Sequence, residues 1–247
     1  MTEVLNAWPV LLVFFSSAVV KGVTGLGFST ICLALLAGAY GLKESLPLVI
    51  IPSLASNAFV MLGAGGFKKT AVRFRLLYLA VIPGIGLGLL ILVNLDNAHG
   101  GALLGLLLIL YSLYCFLEPR AGLPPAWEKP LSLPVGFLTG LCNGVTGTQV
   151  MPVLPYLMSL RLNKDRFVQA INISFTLSSL LMFLGLMKTG FVTLLSVQIS
   201  LAGLPAVFTG VYLGSMIRKR VSESLFRHLI LIVLLLLGGR LILKNFF

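Results

Sequence analysis

KGVTGLG (Lys21–Gly27) and NGVTGTQ (Asn143–Gln149) share the four residues GVTG, 122 positions apart, and each stands inside an apolar segment. Glycine loosens a helix, and a lysine is costly in hydrocarbon. A lipid-facing helix avoids both. A chain that breaks its greasy segments twice with the same word uses the breaks for something other than crossing lipid.

The rest of the chain says what kind of segments these are. Of 247 residues, 58% are hydrophobic and 10% charged, too little charge for the surface of a soluble protein of this length. LLVFFSSAVV, ALLGLLLILYSLYCFL and HLILIVLLLLGGRLIL are long enough to enter or cross hydrocarbon. The expectation is an all-α integral membrane protein surrounded by the lipid bilayer. The net charge of +11 would suggest nucleic acid in a soluble chain. Here it is assigned to basic cytoplasmic loops, and no nucleic-acid partner is expected. MTEVLNAWPV lacks a basic n-region, so it is not read as a cleaved signal.

Chemistry of the enzymatic kind finds no foothold. Cys32, Cys115 and Cys142 lie in or beside apolar segments, and no CxxC occurs, so neither a disulfide framework nor a metal site is supported. HExxH, GxSxG and P-loop motifs are lacking. No catalytic residue, metal ligand or cofactor is assigned, and an intramembrane enzyme acting on lipid lacks its acid/base pair. Glu3, Glu44, Asp96, Glu118, Glu128, Asp165 and Glu223 fall in loops or at segment ends. None marks a relay, so a coupling ion, proton or sodium, stays undetermined.

Hydropathy marks ten apolar segments: 4–20, 26–40, 44–64, 76–94, 99–117, 131–143, 148–160, 166–187, 192–214 and 225–243. Segments 26–40, 131–143 and 148–160 are short for a full crossing, and the first and last of these follow a GVTG. They read as hairpins or closely joined broken helices meeting near the midplane. Residues 21–63 laid over 143–185 agree at nine of 43 positions, among them GVTG, Ser56/Ser178 and Gly63/Gly185. The division is a first membrane repeat over 1–117, a cytoplasmic linker over 118–130 and a second repeat over 131–247.

Charge suggests how the repeats are oriented. The loop after 44–64 carries Lys68, Lys69, Arg73 and Arg75, whereas its counterpart near 188–191 has only Lys188. The next loop reverses this: NLDNAHG has no Lys or Arg, while Arg218, Lys219, Arg220 and Arg227 stand in the second copy. Equivalent loops on opposite sides are the mark of an inverted-topology repeat. Placing these basic loops inside, with Arg120, Lys129, Arg161, Lys164 and Arg166, puts thirteen of the eighteen Lys and Arg in the cytoplasm. Lys43, Lys188, Arg240 and Lys244 then lie outside, and both termini face outward.

The candidate site is built from the breaks. Gly25, Gly27 and Gly147 let one helix end and the next begin, exposing amide N–H groups to an anion. Thr24, Thr146, Thr148 and Gln149 add donors. Lys21 supplies a cation if it faces the cavity, or snorkels to the interface if 4–20 is a full crossing, and Asn143 holds its place in the second copy. Ser53, Ser56 and Asn57 share one face of 44–64. Asn172, Thr176 and Ser179 recur at i, i+4 and i+7 in 166–187. Such groups face protein or water, as interhelical hydrogen bonds or as ligand contacts. Gly84/Gly88, Gly101/Gly105, Gly136/Gly140 and Gly210/Gly214 have GxxxG spacing and read as helix packing.

Two glycine-rich motifs, each followed by a serine- and asparagine-bearing helix, resemble the sulfite exporter TauE/SafE family, also called the toluene sulfonate uptake permeases. VVKGVTGLGFSTICLALL, LKESLPLVIIPSLASN, GFLTGLCNGVTGTQVMPVLPYL and DRFVQAINISFTLSSLL carry the resemblance. The second motif departs from it, with Thr148, Gln149 and Val150 where the family has further glycines. The resemblance implies bacterial inner-membrane, multi-pass transport of small sulfur-containing anions such as sulfite, sulfonates or thiosulfate. The reading is a secondary transporter of a small anion working by alternating access. An anion channel of the same architecture and a non-transporting scaffold subunit are the rivals, and homo-oligomerisation stays open.

Overall fold

The computed structural model describes residues 7–117, 122–217 and 223–246. Arg120, Arg218, Lys219, Arg220, Glu3 and Glu118 lie outside these residues, as do the side chains of Glu223 and Arg227. Among the described residues the chain forms twelve helices and no strand. The protein is all-α, and five stretches, 42–64, 75–94, 97–117, 164–188 and 194–217, are long and apolar enough to cross a membrane.

Helix α1 (Trp8–Thr24) opens with a proline in its first turn and stops at Gly25, which takes a left-handed φ of 81° and donates its N–H to the Lys21 carbonyl at 2.7 Å. Helix α7 (Pro125–Thr146) repeats the pattern. It has a proline at its start, a left-handed Gly147 at φ 73°, and the Gly147 N–H on the Asn143 carbonyl at 2.7 Å. A Cβ strains this conformation, so both GVTG words act as glycine C-caps. The chain restarts as α2 (Phe28–Tyr40) after the first break and as the short α8 (Val153–Ser159) after the second.

Helix α3 (Leu42–Ala64) follows α2, then α4 (Phe67–Arg73), α5 (Arg75–Asn94) and α6 (Asn97–Leu117). In the second half come α9 (Lys164–Lys188), α10 (Leu194–Ala202), α11 (Leu204–Ile217) and α12 (Glu223–Phe246). Three differences from the hydropathy reading have plain causes. Segment 131–143 is the apolar part of a 22-residue helix, whose charged first turn with Glu128 and Lys129 hides its length and reaches into the stretch read as linker. Segment 192–214 divides at Gly203, because Pro205 cannot donate into the helical ladder. Residues 148–160 yield only seven helical residues, with Thr148–Val150 irregular.

The dominant helix contacts pair α1 with α11, α5 with α7, α3 with α9 and α6 with α12. Glycines make the closest of these. A Cβ on Gly88 would lie 2.6 Å from the Leu141 carbonyl oxygen, and one on Gly144 would lie 2.7 Å from that of Ile85. Such contacts exclude any side chain and bring backbones together. The α1–α11 contact copies them residue for residue. Gly214 sits against Val19 as Gly88 sits against Leu141, and Gly22 against Val211 as Gly144 against Ile85. Gly210 lies on the Phe15 carbonyl as Gly84 lies on that of Phe137. Exchanging α1 with α7 and α5 with α11 leaves this list of contacts unchanged.

The outer surface is apolar: Leu79, Leu90, Leu106, Leu184, Leu201 and Leu236 are exposed. In water such a belt would be an aggregation hazard; in hydrocarbon it is the solvent-matched face. The polar side chains of α3 and α9 point the other way, since Ser53, Ser56, Asn57, Asn172, Ser178 and Ser179 are buried. One further bond braces α3. Pro52 removes the N–H that would meet the Leu48 carbonyl, and Ser200 of α10 supplies the missing donor at 2.8 Å.

A candidate anion site at the helix breaks

Lys21 stands one turn before the end of α1 and is only 3% exposed. Its ammonium Nζ donates to Ser56 Oγ at 3.1 Å and to Asn57 Oδ1. Both acceptors belong to α3 and both are neutral. Asn57 then donates through Nδ2 to Ser53 Oγ and to Gln149 Oε1, each at 3.3 Å. Gln149 passes the chain on, donating through Nε2 to Ser179 Oγ at 2.7 Å, and Ser179 lies 3.4 Å from Ser53. One buried network thus joins α1, α3, the second break and α9. It brings together Lys21, Asn57 and Gln149, which lie far apart in the chain.

The threonines of the breaks serve the breaks themselves. Thr24 Oγ1 lies 2.9 Å from the Val20 carbonyl oxygen and 2.8 Å from that of Leu26, and accepts from the Leu26 N–H. Thr146 donates to the Cys142 carbonyl at 2.7 Å and accepts from the Thr148 N–H at 3.3 Å. Each hydroxyl staples its own turn and has no proton left for a ligand. Asn143 donates to the Ser178 carbonyl at 3.5 Å, against α9, as Lys21 donates to Ser56 against α3. Asn172 turns its amide back onto Val168 of its own helix at 2.8 Å.

Several buried polar atoms are left over. Asn143 Oδ1, Thr148 Oγ1, Ser178 Oγ, Asn172 Oδ1 and Thr176 Oγ1 have no hydrogen-bond partner, and neither side-chain atom of Gln169 has one. A buried polar atom without a partner is expensive, and the hydroxyls of Ser17, Thr30, Ser112 and Ser174 share this state. Gln169 escapes a reading of individual motifs. It extends the stripe of Asn172, Thr176 and Ser179 by three residues, a helical spacing that would have exposed it. Ser53, Ser56 and Ser179 belong to the network through contacts distant in sequence.

Two pockets flank the breaks. A cavity of about 170 Å³ is bounded by Thr24 and Gly27 of the first break, with Tyr111, Met158, Phe167 and Leu231 among its other walls. A pocket of about 10 Å³, room for one water, lies beside Gly147 and Gln149 of the second break, with Ser29, Leu33, Leu46 and Ser53. Thr24, Gly25 and Gly27 are half-buried, whereas Thr146, Thr148 and Gln149 are at most 1% exposed. The two breaks open onto separate spaces.

The family model described as sulfite exporter TauE/SafE matches residues 10–241. No curated protein and no solved structure matches the chain.

Proposed function

The chain belongs to the sulfite exporter TauE/SafE family, and from that premise we propose that it is a secondary transporter moving a small sulfur-containing or organic anion across the bacterial inner membrane by alternating access. The two halves, 1–117 and 131–247, are inverted repeats. The exchange-related contacts α1–α11 and α7–α5 support that reading. The anion binds at the Lys21–Asn57–Gln149–Ser179 network, where Lys21 supplies positive charge and the amides and hydroxyls supply donors. The buried groups at Asn143, Thr148, Asn172 and Thr176 that lack a partner support a polar interior beside this network.

One observation carries the proposal: equivalent breaks are in opposite states. The first borders a cavity of about 170 Å³, and the second is sealed beside one of about 10 Å³. In an inverted repeat, one open and one sealed copy is what a transporter looks like when it faces one side. With basic loops inside, the open cavity belongs to the cytoplasmic half. Its walls Tyr111, Cys115, Phe167 and Ile230 stand near the cytoplasmic ends of their helices. Transport follows when the second break opens as the first closes.

The test is flux by the purified protein in liposomes. Uptake of labelled sulfite or methanesulfonate that saturates, and that is driven by unlabelled anion on the far side, is the expected result. Conductance without counterflow would identify the channel, and no flux at all would identify the scaffold.

A further inference from the structure

We propose that the site selects singly charged oxyanions and rejects dianions, and that the choice between Lys21 and Asn143 at equivalent positions sets this preference. The inference rests on the transport reading above and narrows its substrate class.

The argument is one of charge count. Lys21 is the one buried charged residue among the described residues, and no acidic residue is buried with it. Every group joined to it is neutral: Ser56, Asn57, and through Asn57 the side chains of Ser53 and Gln149. A monoanion brought to this network cancels its charge. A dianion leaves one net negative charge in a dry interior, where an uncompensated charge is costly. The repeat shows what a dianion site would need. Asn143 precedes the second GVTG as Lys21 precedes the first, and the backbone carbonyl of each accepts a 2.7 Å bond from the glycine four residues on, Gly147 and Gly25. Asn143 contributes an amide where its counterpart contributes an ammonium, and its Oδ1 has no partner. The second cation of a symmetric, dianion-binding pair is therefore missing.

For sulfite the inference has a specific consequence. Bisulfite carries one charge and sulfite two, so binding follows the bisulfite fraction. Methanesulfonate keeps one charge throughout this range and serves as the control.

The experiment measures binding of methanesulfonate, sulfate, thiosulfate and sulfite to the purified full chain, by thermal shift and calorimetry, below and above the second ionisation of sulfurous acid. The expected result is methanesulfonate binding at both pH values, and sulfate and thiosulfate weaker by about tenfold or more. Sulfite affinity falls at the higher pH while that of methanesulfonate holds. Lys21→Gln loses methanesulfonate binding, and Asn143→Lys gains sulfate binding. Sulfate bound as tightly as methanesulfonate, or Lys21→Gln binding as well as wild type, overturns the inference and leaves the transport reading standing. If no anion of either charge binds, both fall together.

Discussion

Lys21 carries the account, and its energetics argue that it is kept for function. Removing its side chain leaves Asn57 Oδ1 and Ser56 Oγ without their donor, which costs about 1–3 kcal/mol per unsatisfied group. Holding an ammonium among neutral groups costs several kcal/mol. With two such groups the opposing terms are of similar size. Lys21→Met is therefore predicted to leave the melting temperature in detergent nearly unchanged, while abolishing anion uptake. A collapse of thermal stability would mean that the lysine is structural. Much of this was legible in the sequence: a lysine deep in an apolar run, next to a duplicated glycine word, is conspicuous. What was not legible is its company. Ser56 and Asn57 lie 35 and 36 residues away, and no periodicity connects one helix to the next. The local bonds of the threonines were likewise hidden from motif reading. Their hydroxyls look like ligand donors, yet Thr24 and Thr146 spend them on their own turns.

Helix α3 shows how a break in one ladder is repaired by another helix. Pro52 frees the Leu48 carbonyl, and Ser200 donates to it at 2.8 Å. Ser200→Ala should cost about 1 kcal/mol in unfolding free energy. In a Pro52→Ala background, where the helix regains its own donor, the same change should cost close to nothing. Equal losses in both backgrounds would show that the bond does not answer the proline. The ends of α1 and α7 were readable, because a glycine after a polar turn favours the left-handed cap that ends a helix. The full length of α7 was not, because hydropathy cannot distinguish a charged loop from the first turn of a helix bearing Glu128 and Lys129. The irregular stretch after Gly147 was equally hidden. Residues 148–150 are as buried as a core helix, so composition alone could not show that they lack regular structure.

Across the molecule, the two halves share a contact plan even though few of their residues agree. Gly22, Gly210 and Gly214 do for α1 and α11 what Gly144, Gly84 and Gly88 do for α7 and α5. Small residues at a close crossing are constrained by sterics, whereas lipid-facing leucines are free to vary. Matching glycine contacts at the two crossings therefore persist where few residues agree. The shared plan also turns the asymmetry of the breaks into a prediction about motion. Met158 lines the open cavity, and Leu36, its equivalent in the first half, is 1% exposed. The most direct test places single cysteines at these two positions, in a chain whose Cys32, Cys115 and Cys142 are replaced. Labelling is then followed with a membrane-impermeant thiol reagent applied from each side. The account predicts that Met158→Cys reacts from the cytoplasmic side and Leu36→Cys only from the opposite side, and that added anion changes the two rates in opposite directions. Reaction of both from one side, or rates indifferent to anion, would contradict it.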